Sequence, residues 1–160
     1  MMGFTIILTP FWSAFTEAWA KKEIVWIKKI MQKLLYLWLF LLLPAILMFI
    51  FSPWVYKIWV GEKIIIPYSI SALVAVWVLL NAWNGIFAYF LNGIGKIKLQ
   101  LYLGISAAIL NVPLALFLGL KFGIRGVLLT NVILALAVSW IFPLQYKKII
   151  NHTAYGIWTK

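Results

Sequence analysis

Residues 99–120 read LQLYLGISAAILNVPLALFLGL, 22 consecutive positions without a charged side chain. A helix rises about 1.5 Å per residue, so this run is long enough to cross the ~30 Å hydrocarbon core of a bilayer. After the short interruption containing Lys121 and Arg125, residues 126–146 (GVLLTNVILALAVSWIFPLQY) form a second uncharged run of 21 positions. Two such runs separated by a turn of five residues predict a pair of antiparallel membrane helices.

The same punctuation organises the rest of the chain. Uncharged runs of 16, 23 and 32 residues occupy 1–16, 34–56 and 64–95. The first reaches spanning length only if its helix continues through Glu17, and the third is longer than a span, with Pro67 a natural start. The predicted spans are therefore 3–20, 34–56, 67–91, 99–120 and 126–146. The fold class expected is an all-α polytopic membrane protein of five helices, with residues 1–160 forming one transmembrane unit.

Composition agrees. Of 160 residues, 66% are apolar or aromatic and 11% are charged, against about 45–50% and about 25% in soluble domains. The mean hydropathy is +1.04. The net charge of +11 does not indicate nucleic-acid binding, because the cations interrupt apolar runs and do not pattern a water-exposed surface. No cysteine is present, which excludes disulfides, thiolate nucleophiles and cysteine metal sites. His152 stands alone in the polar tail. No Ser/His/Asp set, metal cluster or phosphate loop occurs, so neither enzymatic activity nor a cofactor is expected. Residues 1–20 imitate a secretory signal through Ala18-Trp19-Ala20. The lack of a preceding cation, Pro10 in mid-run and Glu17 beside the would-be cleavage site argue against one.

The positive-inside rule orients the spans. Lys21, Lys22, Lys28, Lys29, Lys33, Lys96, Lys98, Lys147, Lys148 and Lys160 fall on one side, and Lys57, Lys63, Lys121 and Arg125 on the other. Ten against four predicts a cytoplasmic C-terminus and an outer N-terminus. Trp12, Trp19, Trp26, Trp54, Tyr56 and Trp59 gather near span ends, where amphipathic rings prefer the interface. Between the first two spans, Ile24, Ile27, Ile30, Met31 and Leu34 recur at helical spacing, with lysines on other faces. Residues 23–33 thus read as an amphipathic helix in the headgroup plane. Its Lys28, Lys29 and Lys33 are candidates for binding an anionic lipid headgroup, and simple positive-inside anchoring also explains them.

Charge within the spans is scarce. Glu17 is the one acid near membrane depth. It is a candidate gate or ion-coupling residue, or one half of an interfacial salt bridge with Lys21 at i+4. Ser13, Thr16, Asn81, Asn84, Asn92, Gln100, Asn111, Asn131 and Ser139 must find partners in hydrocarbon and suit interhelical contacts. Ala14/Ala18, Gly104/Ala108 and Ala135/Ser139 are small-residue pairs that permit close helix approach. Pro44 and Pro113 interrupt the hydrogen-bond ladder of their spans. Asn111 coincides with the Pro113 site and is a candidate substrate contact. Asn92-Gly93 is suited to a left-handed helix end, and Gly119, Gly123 and Gly126 bracket a tight turn.

Four stretches resemble a known family in order along the chain. They are Thr9-Pro10-Phe11-Trp12-Ser13-Ala14-Phe15-Thr16-Glu17-Ala18 with Trp26-Ile27-Lys28-Lys29; Val60-Gly61 after Ile58-Trp59; 90–100 (FLNGIGKIKLQ), which carries Asn92, Gly93 and Gln100; and Phe122-Gly123-Ile124-Arg125-Gly126-Val127. They resemble Wzx-type O-antigen flippases, polysaccharide biosynthesis proteins of the exporter superfamily that includes the MATE transporters. Pro10, Trp12, Asn92, Gly93, Gln100, Pro113, Gly123 and Gly126 are the positions read as structural motif residues. The resemblance implies a flippase in the bacterial inner membrane that moves undecaprenyl-pyrophosphate-linked oligosaccharide to the outer leaflet. It also implies a fold of about twelve helices in two lobes around a cavity.

On that alignment the chain corresponds to the eighth to twelfth helices. The expected partners are membrane lipids, the polyprenyl-pyrophosphate-linked oligosaccharide, and an N-terminal lobe or a polysaccharide polymerase. A fragment of this kind, whether truncated, split or from an alternative start, is not expected to transport alone, because alternating access needs two bundles. Two other readings fit the residues: a non-transporting membrane scaffold for polysaccharide-assembly enzymes, and part of a MATE-type drug or cation antiporter. The antiporter reading requires charges inside the bundle, and the spans have almost none.

Overall fold

The computed structural model describes residues 2–61 and 66–159. Lys63 and Lys160, counted above among the orienting cations, lie outside the described residues, as do Met1 and Glu62. Among the described residues the chain is all-helical: α1 Met2–Ala20, α2 Ile24–Ile50, α3 Ser52–Val60, α4 Tyr68–Gly93, α5 Lys98–Phe122, α6 Ile124–Ile150, and a terminal 3-10 turn Gly156–Thr159. Four helices, α2, α4, α5 and α6, are long and apolar enough to cross a membrane. The 19-residue α1 is not among them; Thr5, Thr9, Ser13, Thr16 and Glu17 dilute its apolar content.

Two segment boundaries differ from expectation. Residues 23–33 are not a separate interfacial helix before a span at 34–56. They are the first turns of α2, which runs unbroken to Ile50. Their apolar stripe, Ile27, Met31 and Leu34, packs into the protein core with Phe15 and Phe90 instead of into lipid. Protein contacts satisfy the stripe, so the chain has no reason to bend at residue 33. The helix breaks instead at Phe51, because Pro53 has no N–H to continue the ladder and favours the first turn of a new helix.

The second difference is at the end of α4. The left-handed residue is Gly95 (φ 71°), and Asn92-Gly93 remains helical. The Lys96 N–H bonds the Leu91 carbonyl at 2.9 Å and the Gly95 N–H bonds the Asn92 carbonyl at 3.1 Å, closing the helix in a Schellman-like turn.

α4 is the centre of the bundle and packs against α1, α2 and α6. It runs parallel to α1, since Leu8 lies against Gly85 and Thr16 bonds Gly93. It is parallel to α6 as well: the Trp83 indole N–H donates to the Ser139 carbonyl at 3.1 Å, and the Phe90 ring meets Tyr146. α2 is antiparallel to α4, with the Trp38 indole donating to the Leu79 carbonyl at 2.9 Å and Phe49 meeting Tyr68. α5 pairs with α6 in an antiparallel hairpin and contributes no buried residue.

This arrangement collects charge at one end. Lys21, Lys22, Lys28, Lys29, Lys33, Lys96, Lys98, Lys147 and Lys148 lie on the end where α1, α4 and α6 finish and α2 and α5 begin. Lys57, Lys121 and Arg125 are the described cations of the other end. The core is densest near the lysine-rich end, where Phe15, Ile27, Met31, Ile86, Phe90 and Leu91 are almost wholly enclosed.

Candidate functional site

Three apolar helices bring four asparagines together. Asn81 and Asn84 lie near the middle of α4, Asn111 at the middle of α5, and Asn131 two turns into α6. They line an open cleft of about 400 Å³, with Trp77, Ala107, Ala108, Leu134, Ala135, Val138 and Phe142 completing its walls. The alanines matter locally: short side chains on α5 and α6 leave the space that the amides face.

The hydrogen bonds set each amide. Asn111 Nδ2 donates to Asn131 Oδ1 at 3.2 Å across the α5–α6 interface. Asn131 Nδ2 donates back to the Val127 carbonyl at 3.3 Å, and Asn81 Nδ2 to the Trp77 carbonyl at 2.7 Å. Asn84 Nδ2 reaches the Ala135 carbonyl at 3.1 Å and ties α4 to α6. Its Oδ1 is buried and accepts no hydrogen bond among the described residues. A buried acceptor without a donor is costly in an apolar medium. No ionisable group is among the described residues that line the cleft. Its chemistry is that of neutral donors and acceptors beside an indole face.

The expected site residues are not gathered in one place. Asn111 lines the cleft. Lys28, Lys29 and Lys33 are exposed on the first turns of α2, at the lysine-rich end. Glu17 is exposed and pairs with Lys21 at 2.6 Å, and it does not line the cleft. The carboxylate hydrogen bond first, and its Coulomb attraction second, hold the Lys21 ammonium above the usual lysine range.

Some of the motif residues fall at close helix contacts. Gly93 sits where a Cβ would come within 2.8 Å of the Trp12 carbonyl oxygen and 2.9 Å of Phe15 Cβ, so only glycine allows α1 this close to α4. Beside it, Trp12 meets Tyr89 edge-on at 6.2 Å. Gly126 makes the equivalent approach to the Leu118 backbone of α5, and Gly123 takes the left-handed conformation (φ 61°) of the α5–α6 turn. Asn92 and Gln100 line a separate cavity of about 460 Å³ along α5. Pro10 and Pro113 lie inside helices that continue past them. Gly104, expected to bring helices together, faces open space.

Four polar side chains that the sequence does not mark as partnered are buried among the described residues: Ser52, Ser71, Thr130 and Gln145. Gln145 is fully buried, with Nε2 donating to the Lys96 carbonyl at 3.3 Å and to the Trp158 carbonyl at 3.4 Å. It fastens the α4–α5 turn and the C-terminal turn to α6. Its signal was its position beside Tyr146 at the end of an apolar run, which reads as an exposed interfacial amide.

No protein-family model, curated protein or solved structure matches this chain.

Proposed function

We propose that this chain is the C-terminal part of a lipid-linked oligosaccharide flippase, similar to the Wzx-type exporters, with α1 as a fifth span and the lysine-rich end in the bacterial cytoplasm. The observation that carries the reading is the neutral, amide-lined cleft at mid-depth in a bundle of apolar helices. Transporters place substrate sites near the bilayer midplane, between bundles that move against one another. On this reading α4, α5 and α6 supply one wall of such a site and a second lobe supplies the other. Asn81, Asn84, Asn111 and Trp77 contact the polar substrate by hydrogen bonds and stacking, and Lys28, Lys29 and Lys33 attract its anionic pyrophosphate at the cytoplasmic face. A drug or cation antiporter finds less support, because the cleft has no carboxylate to bind a cation or carry a proton.

The test is polysaccharide export by cells that depend on the intact transporter containing this chain. Replacing Asn84 and Asn111 together with Leu should reduce export by about tenfold, a change equivalent to losing one to two good hydrogen bonds. Replacing Lys28, Lys29 and Lys33 with Gln should depress export at unchanged protein level. Full export by both variants at normal abundance refutes the assignment of the cleft and of the lysines.

A further inference from the structure

On another face of α4, away from the amide cleft, α1, α2 and α4 enclose a groove of about 520 Å³. Its walls are apolar, with Leu41, Val78 and Leu79 among them, and its polar groups are confined to the α2–α3 end. There the Tyr56 hydroxyl lies 3.2 Å from Ser71 Oγ. Ser52, only 6% exposed, has its Oγ buried with no partner among the described residues. An apolar cavity of a few hundred Å³ with a few convergent polar atoms at one end has the character of a ligand site.

Its dimensions select the ligand. The lining runs from Leu37 on α2 to Ser52 at the start of α3, and from Ser71 to Ala82 along α4, which is about 17 to 22 Å at the helical rise. That is slightly more than one leaflet, about half of the ~30 Å hydrocarbon core. A single extended hydrocarbon chain fits that length, the apolar walls and the polar atoms at one end.

We propose that the groove holds one acyl chain of a membrane glycerolipid from the leaflet at the α2–α3 end. The methylene chain lies along α4 toward mid-bilayer, and the lipid's ester carbonyl accepts a hydrogen bond from the buried Ser52 hydroxyl. The chain removes the groove's apolar lining from contact with water or empty space, and the ester satisfies the Ser52 hydroxyl, which has no partner among the described residues.

The test uses the full chain reconstituted in vesicles of phosphatidylethanolamine and phosphatidylglycerol, doped with a phospholipid carrying a diazirine near one chain end. After photolysis, adducts are mapped by mass spectrometry. Adducts on Leu41, Val78 and Leu79 should exceed those on Leu116, an exposed α5 residue in ordinary lipid contact. Val78→Trp should lower groove adducts by about tenfold by filling the space, and leave Leu116 adducts unchanged. Should that variant fail to fold, Ala75→Leu at the same wall reads the same effect. Ser52→Ala should lower them more modestly. Groove labelling no higher than that of α5, as a covering protein helix would give, or undiminished groove labelling in a folded filled variant, would each overturn the proposal.

Discussion

Thr16 Oγ1 donates to the Gly93 carbonyl oxygen at 2.7 Å, locking α1 to α4 at the point where their backbones come closest. The same hydroxyl lies 3.1 Å from the Trp12 carbonyl of its own helix. One side chain therefore bridges the first and third of the sequence motifs, which stand 77 residues apart.

Gly93→Ala should weaken this junction severely for a one-carbon change, because the added Cβ meets backbone and a branch point, neither of which can rotate away. A loss of about 1–3 kcal/mol is expected, the range for overpacking. Thr16→Val keeps the volume and removes the hydrogen bond, for a loss of about 0.6–1.7 kcal/mol. Unfolding midpoints in detergent distinguish them, and a Gly93→Ala midpoint equal to that of the parent chain would show that α1 is free to slide.

Gly126→Ala should destabilise the α5–α6 hairpin at least as much. Its Cβ would overlap the Leu118 carbonyl, again backbone. The loss should appear as faster proteolysis between Lys121 and Arg125, and resistance equal to that of the parent chain is the contrary outcome.

Asn111 and Asn131 should show a positive coupling energy in a double-mutant cycle with Leu at each position. The expected value is about 0.6 kcal/mol and no more than about 1.7. Zero coupling would mean that each amide finds another partner in the membrane.

The Glu17–Lys21 pair, fully exposed, should contribute little to stability. Glu17→Gln should leave the midpoint within the small range of surface ion pairs. Its clearer signature is the Lys21 titration, raised by Glu17 and returning toward the ordinary lysine range in the variant. Because the shift is upward, whatever the pair contributes is present at neutral pH and disappears as the pH rises through the raised value. Isotope-edited titration of the lysine side chains measures it directly.

Single cysteines at Lys98 and Lys121 should label from opposite faces of the membrane. The chain has no native cysteine to interfere. They lie at opposite ends of α5, so same-side labelling would contradict a spanning α5.

Much of the fold was legible because membrane spans are announced locally. A run such as 99–120 needs no partner to be recognised, and α5 and α6 extend only a few residues beyond the expected spans. The boundary errors arose where one residue type serves two purposes. Gly93 suits a left-handed turn and a close helix contact alike, and only the neighbouring Trp12 carbonyl decides between them. The stripe of Ile27, Met31 and Leu34 fits lipid or protein equally well until Phe15 and Phe90 are seen against it.

The candidate site was legible as a set of amides and not as a place. Asn81, Asn84, Asn111 and Asn131 lie on three helices, and their meeting depends on interhelical register, which no single helix specifies. Gln145 was hidden for the same reason, since its burial depends on Trp158 folding back across the end of α6.

By itself, then, the sequence determined that the chain is helical and apolar enough to enter a bilayer, and that its cations alternate in density between successive turns. These are properties of contiguous residues and of transfer from water. The tertiary structure alone decided that α4 is the shared wall, with an amide cleft on one face and an apolar groove on another. Those surfaces arise from close packing between distant segments, where a glycine's missing Cβ or an alanine's shortness sets how near two backbones can come.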